Sequence, residues 1–254
     1  MARIALITGA TAGIGEACAK TFAQNRFNLI LAGRRADRLE KLSAELKAGF
    51  GVEVICLTLD VRNAKEVEHQ LKSLPENWKK IDVLINNAGL SQGLEPIQKG
   101  SFADWDTMID TNVKGLLYVS RIVSEWMVNH SEGHIVNIGS IAAKEVYPNG
   151  NVYCATKHAV DALSQAMRID LLPHNIRVSC IHPGAVETEF SEVRFKGDKE
   201  RAKKVYEGFD PLYAKDIAET IWFVVSRPAH INISDLLIMP TAQASVININ
   251  RKEK

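Results

Sequence analysis

Nowhere does this chain hold the ~18 uninterrupted apolar residues that a bilayer crossing requires, and nothing in it departs far from electrical neutrality. Its 31 Lys and Arg stand against 30 Asp and Glu, a formal net charge of +1. No long-range field draws it to DNA, RNA or an acidic membrane surface, so neither nucleic acid nor membrane is an expected partner. Cysteine is scarce and scattered: Cys18, Cys56, Cys154 and Cys180 form no Cys-x-x-Cys pair, which argues against a disulfide framework and leaves reduced core thiols as the expectation. There is no His-Glu-x-x-His and no Cys/His cluster, so no metal is expected. His130 and His134 straddle a helix-to-strand junction and read as ordinary loop histidines. Internal repeats, low-complexity runs and linkers are missing too. Met1-Ala2-Arg3 leads straight into the apolar run Ile4 to Ile7 without the charged and apolar regions of a secretion signal, and a cytoplasmic location is expected.

What is present is an ordinary globular composition, 46% hydrophobic and 24% charged. A chain of 254 residues is long enough to bury roughly 75% of its unfolded surface around one core, and one domain spanning 1–254 is expected. Short β-rich apolar runs alternate with longer segments of helical period, the pattern of repeated βα units around a parallel sheet. Seven strands are predicted near Ile4 to Ile7, Asn28 to Ala32, Glu53 to Leu59, Val83 to Asn86, His134 to Ile138, Arg177 to Ile181 and Leu236 to Ile238. Helices are predicted from Ile14 to Asn25, Asp37 to Ala48, Ala64 to Ser73, Phe102 to His130, Val152 to Leu172 and Lys215 to Ser226. The fold class is therefore α/β, a doubly wound Rossmann-like sheet flanked by helices. The charge-rich segment 185–213 breaks the rhythm and reads as a lid over a site, because long loops inside compact domains are commonly functional.

The first strand ends in Thr8-Gly9-Ala10-Thr11-Ala12-Gly13-Ile14-Gly15, and a helix starts within it. Glycines there let backbone N–H groups and the positive helix terminus approach a pyrophosphate. The spacing, G-x3-G-x-G, differs from the general G-x-G-x-x-G fingerprint. The second strand ends at Ala32-Gly33-Arg34-Arg35, about 20 residues on, where an acid would bind the ribose hydroxyl of NAD. Two guanidinium groups suit a 2′-phosphate instead, through charge-assisted hydrogen bonds; the bland alternative is a solvated basic helix start. Asp60-Val61 and Asn86-Asn87-Ala88-Gly89 fall at later strand ends, where such sheets bind ligands. Asp60 is either an acceptor for the adenine amino group or the N-cap of the helix beginning near Ala64.

Tyr153 and Lys157 stand four residues apart, on one face of a predicted helix. Ser140 follows the fifth strand, and Asn112 lies in the long fourth helical segment. Interconverting an alcohol and a carbonyl requires a proton exchanged at oxygen while hydride moves at carbon. A phenol of ordinary pKa near ~10 needs a neighbouring cation to serve at neutral pH. Lys157 is the expected cation, Ser140 the hydrogen-bond partner of the substrate oxygen, and Asn112 the anchor of the lysine through a water.

The set Thr8 to Gly15, Asn86-Asn87-Ala88-Gly89, Asn112, Ser140, Tyr153, Lys157 and Pro183-Gly184 resembles the short-chain dehydrogenase/reductase family in order and spacing, over nearly the whole chain. The resemblance implies a seven-stranded Rossmann-like sheet, a catalytic tetrad of Asn112, Ser140, Tyr153 and Lys157, and a homotetramer. It also implies an NADP(H) site of Gly9, Thr11, Gly13, Ile14, Gly15, Arg34, Arg35, Asp60, Val61, Asn87, Ala88 and Gly89, completed by Tyr153, Lys157, Pro183, Gly184, Val186 and Thr188. The stretches His182 to Asp198 and Asn232 to Thr241 resemble the NADP-dependent 3-hydroxy acid dehydrogenases acting on serine and allo-threonine, a branch similar to malonic semialdehyde reductases. A small acid substrate needs a cation for its carboxylate, and the lid offers Arg194 or Lys196, with Arg better suited to a two-point contact. Other readings are a 3-oxoacyl-carrier-protein or diketone reductase, which the lid sequence argues against for the carrier-protein case, and a non-catalytic NADP(H)-binding sensor, which the complete tetrad opposes. Lys144 and Glu145 follow Ser140 toward the substrate mouth, but nothing in the spacing demands a role there.

Overall fold

In the computed structural model, which describes residues 2–252, seven parallel strands share one sheet in the order β3-β2-β1-β4-β5-β6-β9. They are β1 (Ile4–Thr8), β2 (Asn28–Gly33), β3 (Val54–Thr58), β4 (Val83–Asn86), β5 (Gly133–Ile138), β6 (Ile176–Pro183) and β9 (Asp235–Ile238). All seven predicted strands are there, within two residues at each end. The side-chain period of two explains why they are near-continuous apolar runs: a parallel sheet covered on both sides buries both faces. In β1, Ala5 and Ile7 face one core while Ile4 and Leu6 face the other.

Helices α1 (Gly13–Gln24), α2 (Ala36–Phe50) and α9 (Ala214–Val225) cover the first face, presenting Cys18, Phe22, Leu39, Leu46, Ile217 and Ile221. Phe22, Phe27 and Trp222 meet edge to face there, with centroids 5.1 to 6.0 Å apart, each pair adding about 0.5–1.5 kcal/mol beyond burial. Helices α3 (Ala64–Lys72) and α5 (Leu116–His130) cover the other with Val67, Leu71, Val119, Val123 and Met127. The 20-residue α6 (Asn151–Asp170) lies on this side as well, and its Met167 packs against the same core.

The predicted helix from Phe102 to His130 is divided: α4 (Phe102–Ile109) joins α5 through a π-helical turn, Asp110–Gly115. A single widened turn hardly disturbs apolar spacing, so periodicity did not betray it; such turns concentrate at functional sites. His134 is a second correction. It sits inside β5, almost wholly buried, with Nε2 2.8 Å from Ser179 Oγ, whereas His130 closes α5 and is exposed. The four cysteines are free, Cys56 half-buried and the others buried.

Between β6 and β9 the lid is more structured than a loop. It holds a two-stranded parallel pair, β7 (Val186–Glu187) with β8 (Leu212–Tyr213), and two short helices, α7 (Phe190–Arg194) and α8 (Lys199–Lys204). These segments are too short for a sequence period to reveal. Because β2 and β4 lie on opposite sides of β1, the chain reverses its direction of winding there, and a crevice opens at the carboxyl ends of β1 and β4.

Candidate active site

That crevice is a cavity of about 630 Å3 running from Arg34 and Arg35 past the glycine turn to Ser140, Tyr153 and the inner side of the lid. Its floor is the turn after β1. Gly9 and Gly13 hold φ of +66° and +54°, the left-handed region that a side chain strains. The turn is braced from β4 by Asn87, whose Nδ2 donates to the carbonyl oxygens of Thr8 and Gly9 at 2.9 and 3.2 Å. Helix α1 starts at this turn with Ala12 as N-cap, so no side chain satisfies its first-turn amides. Those open N–H groups, together with the helix dipole, are suited to a phosphate.

Thr11, Gly13, Ile14, Val61, Ala88 and Gly89 line this half of the cavity, as do Pro183, Gly184, Val186 and Thr188 at the end of β6 and the start of the lid. Gly15 does not. A Cβ there would stand 2.3 Å from the Gly9 carbonyl oxygen and 2.6 Å from Asn87 Nδ2, so its glycine serves the packing beneath the turn rather than the surface above it.

At the far end Arg34 is exposed and Arg35 half-buried. The Arg35 guanidinium donates to Thr11 Oγ1 through Nε and Nη2 at 3.1 and 2.9 Å, and to Glu189 through Nη1 at 2.9 Å. Glu189 also accepts from Arg38 at 2.7 Å, and the two arginines hold its carboxyl below the usual range. Asp60 lines the same wall but is not the N-cap of α3. Asn63 is, accepting from the Glu66 amide, while Asp60 pairs with Arg62 at 2.6 Å.

At the other end, β5 delivers Ser140 and α6 delivers Tyr153 and Lys157, all three buried and all lining the cavity. Ser140 Oγ accepts from the Ala142 amide at 3.1 Å. Burial raises the Tyr153 phenol above its ordinary value. The charge of Arg194 and then the hydrogen bond with Ser140 pull it back down. The expected cation, Lys157, sits 5.9 Å from the ring centroid. Its Nζ donates to the Ile138 carbonyl at 2.8 Å, and burial brings the ammonium down to about 8. Asn112 is behind the wall rather than in it. The π-helical turn carries its amide inward, where Oδ1 accepts from the Leu90 amide at 2.8 Å and Nδ2 donates to the Leu90 carbonyl and to Thr156 Oγ1.

Arg194 reaches into the same end from α7. Its guanidinium carbon lies 5.1 Å from the ring centroids of Tyr153 and Phe190, and Nη2 donates to Tyr147 Oη at 2.8 Å. Its Nε is buried without a hydrogen-bond partner. Lys196 points elsewhere, pairing with Asp104 at 2.9 Å. Lys144 and Glu145 do not border the cavity: Lys144 pairs with Asp161 and Asp235, and Glu145 accepts from the Val246 amide.

Several participants escaped the sequence. Tyr147 anchors Arg194, and its only signal was an aromatic residue just ahead of the Pro148-Asn149-Gly150 turn. Glu189 was hidden among the lid charges. Gln243, from the C-terminal segment, reaches back so that Oε1 accepts from the Ala185 amide at 2.8 Å, a long-range closure with no local pattern.

The family model for short chain dehydrogenases matches residues 3–199. An NADP-dependent 3-hydroxy acid dehydrogenase of Salmonella typhi is 50% identical over 242 residues, covering 95% of this chain and 96% of its own. Sulfoacetaldehyde reductase 2 of Chromohalobacter salexigens is 43% identical over 245 residues, 96% of each chain. Among solved structures, the closed form of serine dehydrogenase complexed with NADP+ is similar with a TM-score of 0.91 at 47% identity, covering 99% of this chain and 100% of that one.

Proposed function

The chain belongs to the short-chain dehydrogenase family, and we propose that it is an NADP(H)-dependent oxidoreductase of small 3-hydroxy acids, with serine, allo-threonine and 3-hydroxypropionate or malonic semialdehyde as the substrate class. The observation that carries this reading is the Arg194 guanidinium over the Tyr153 ring, in the cavity that Ser140 also lines: a cation suited to a carboxylate next to an acid/base. A sulfonate such as that of the sulfoacetaldehyde reductase's named substrate would suit the same cation, so sulfoacetaldehyde belongs in the substrate panel.

The residues present fit the dinucleotide. The uncapped first turn of α1 and the glycine turn offer amides to the pyrophosphate, Arg34 and Arg35 offer guanidinium groups to a 2′-phosphate, and Asp60 and Val61 border the adenine end. Lys157 and Asn87 would hold the ribose, with Pro183, Gly184, Val186 and Thr188 lining the wall expected to take the nicotinamide. Bound nicotinamide supplies the acceptor or donor of hydride at the substrate carbon.

The rest of the chemistry belongs to this chain. In the oxidative direction Tyr153 Oη, ionised, takes the hydroxyl proton as the carbonyl forms; in the reductive direction it returns it. The Ser140 hydroxyl donates to the substrate oxygen, where negative charge accumulates. Arg194 holds the acid group and, by its charge, favours the phenolate. Asn112 holds the Leu90 backbone against α6, keeping the Lys157 wall in place.

Assembly as a homotetramer and a cytoplasmic location belong to the same proposal. Exposed Ile169 in the last turn of α6 and Leu172 just beyond its end support association, which light scattering tests. For the activity, the purified protein is mixed with NADP+ or NAD+ and each candidate acid at mildly alkaline pH, with Tyr153→Phe as control. Turnover of a 3-hydroxy acid with NADP+, abolished in the variant, is expected. Turnover of neutral alcohols alone would discard the acid substrate class, and cofactor binding without any turnover would favour a sensor.

A further inference from the structure

Outside the reacting groups, the end of β6 carries a histidine with no assigned role. His182 is completely buried, and its ring stands behind Ser140: Nδ1 lies 3.1 Å from the Ser140 carbonyl oxygen and 3.4 Å from the Ser140 amide nitrogen. Gly139 permits the approach, since a Cβ there would meet Nδ1 at 2.4 Å. The opposite nitrogen, Nε2, faces Asp235 Oδ2 at 3.1 Å and Asp161 Oδ1 at 3.5 Å. Lys144 closes the cluster, donating to Asp235 at 2.6 Å and to Asp161 at 3.2 Å. Asp161, Cys180 and His182 also present ligand atoms within 4.8 Å of one another, but the Lys144 ammonium already supplies the positive charge beside Asp161.

Such a ring must choose a tautomer. Protonated on Nε2, it donates to Asp235 while Nδ1 accepts from the Ser140 amide at the longer distance of 3.4 Å, leaving the Ser140 carbonyl at 3.1 Å to accept only once Nδ1 is protonated. A second proton on Nδ1 turns that nitrogen into a donor toward the Ser140 carbonyl and deprives the amide of its acceptor. The Ser140 peptide therefore feels the charge state of a cluster that never touches the cavity, since none of His182, Asp161, Asp235 or Lys144 lines it.

Building on the assignment of Ser140 to the substrate oxygen, we propose that His182 is a positioning residue for the reaction: Asp235, Asp161 and Lys144 hold it in the Nε2-protonated tautomer, and it holds the Ser140 peptide in register with Tyr153. Its environment also sets a pH sense. The groups facing the ring are Lys144, Asp161, Asp235 and the Cys180 thiol, the last pushed up to about 11 by burial and so neutral. Burial, then the Lys144 charge, lowers the imidazolium below its ordinary range, while Asp235, the Ser140 backbone and Asp161 pull it upward. The net direction favours the neutral ring, and protonation inverts its contact with Ser140.

The test measures kcat, KM and NADPH affinity across pH for His182→Phe, His182→Asn, Lys144→Met and Asp235→Asn, with the His182 variants repeated on Ser140→Ala. His182→Phe is expected to lower kcat by about tenfold to a hundredfold, the order seen for small misplacements of reacting groups, with KM and NADPH affinity within about twofold. His182→Asn, which keeps an amide donor and acceptor, is expected to recover part of the loss. On Ser140→Ala the His182→Phe change is expected to add little, because the two act as one unit. The acid limb of kcat moves to higher pH in Lys144→Met and to lower pH in Asp235→Asn. A fully additive loss on Ser140→Ala, or an unchanged kcat in a folded His182→Phe, overturns the proposal while leaving Ser140 its role. An unimpaired Ser140→Ala overturns both. Should His182→Phe fail to fold, the two acid-limb shifts decide, and shifts that are missing or of one sign overturn the proposal.

Discussion

The guanidinium carbon of Arg194 lies 5.1 Å from the centroid of the Tyr153 ring, so one lid side chain biases the ionisation of that phenol and, under the proposed function, would also meet the acid group of the substrate. The two roles separate by substrate. Arg194→Ala is expected to raise KM for 3-hydroxy acids by roughly tenfold to a hundredfold, the worth of a charge-assisted hydrogen bond of about 1.5–3 kcal/mol, with little change in KM for neutral alcohols. For every substrate the alkaline rise of kcat shifts to higher pH, because the phenol loses the cation that lowers it. Arg194→Lys keeps the charge without the two-point contact and is expected to restore the pH profile better than the KM. Steady-state kinetics across pH measure both, and identical KM changes for acids and neutral alcohols would remove Arg194 from acid recognition.

Tyr153→Phe removes the hydroxyl to which the proposed function assigns the proton transfer and leaves the ring that packs against Phe190. A fall in kcat of about 10²–10⁴-fold is expected from the loss of acid/base catalysis alone, with NADPH affinity and thermal stability near those of the parent. Fluorescence titration and kinetics on one preparation test this, and retention of a tenth of the parent kcat would point to another base.

The double variant Arg34→Ala/Arg35→Ala is expected to weaken NADPH binding by about a hundredfold or more, from two charge-assisted contacts of about 1.5–3 kcal/mol each. NADH binding, which makes no 2′-phosphate contact, is expected to change by less than about threefold on the same reasoning. Parallel titrations with the two cofactors measure the split. Equal losses for both would show that Arg35 acts through Thr11 and Glu189, which it also holds, and not through phosphate.

Burial, aided by the Arg177 charge, lowers His134 from 6.5 to about 3. Between those values the unfolded chain binds a proton that the folded chain refuses, so the stabilisation is complete above pH 6.5 and is lost progressively as acid is added. His134→Gln lacks this titration and is expected to show a flatter loss of Tm from pH 6.5 downward, although its Tm at pH 7 falls through loss of the Ser179 bond. A parent and variant with parallel acid limbs would exclude His134 as an acid trigger.

Much of the fold was readable because a two-face-covered parallel sheet writes itself as apolar strands at regular intervals. Ser140, Tyr153 and Lys157 were readable because strand ends and one helix face bring them to the cavity by local geometry. The π-helical turn around Asn112 was not, because one widened turn leaves the apolar period intact. Nor was the lid, whose helices of 5 and 6 residues are too short to carry a period.

What the sequence by itself determined is therefore the sheet, the glycine turn, the paired arginines and the Tyr-Lys face, each set by residues within a few positions of one another. The tertiary structure alone decided which lid cation enters the site. Arg194 and Lys196 are two residues apart, yet the turn of α7 sends one over Tyr153 and leaves the other to Asp104. It decided equally that His182 and Asp235, 53 residues apart, share a proton contact behind Ser140. Such pairings rest on packing between distant elements, and a burial that strips water from a charge is a property of everything around it, which no stretch of sequence carries alone.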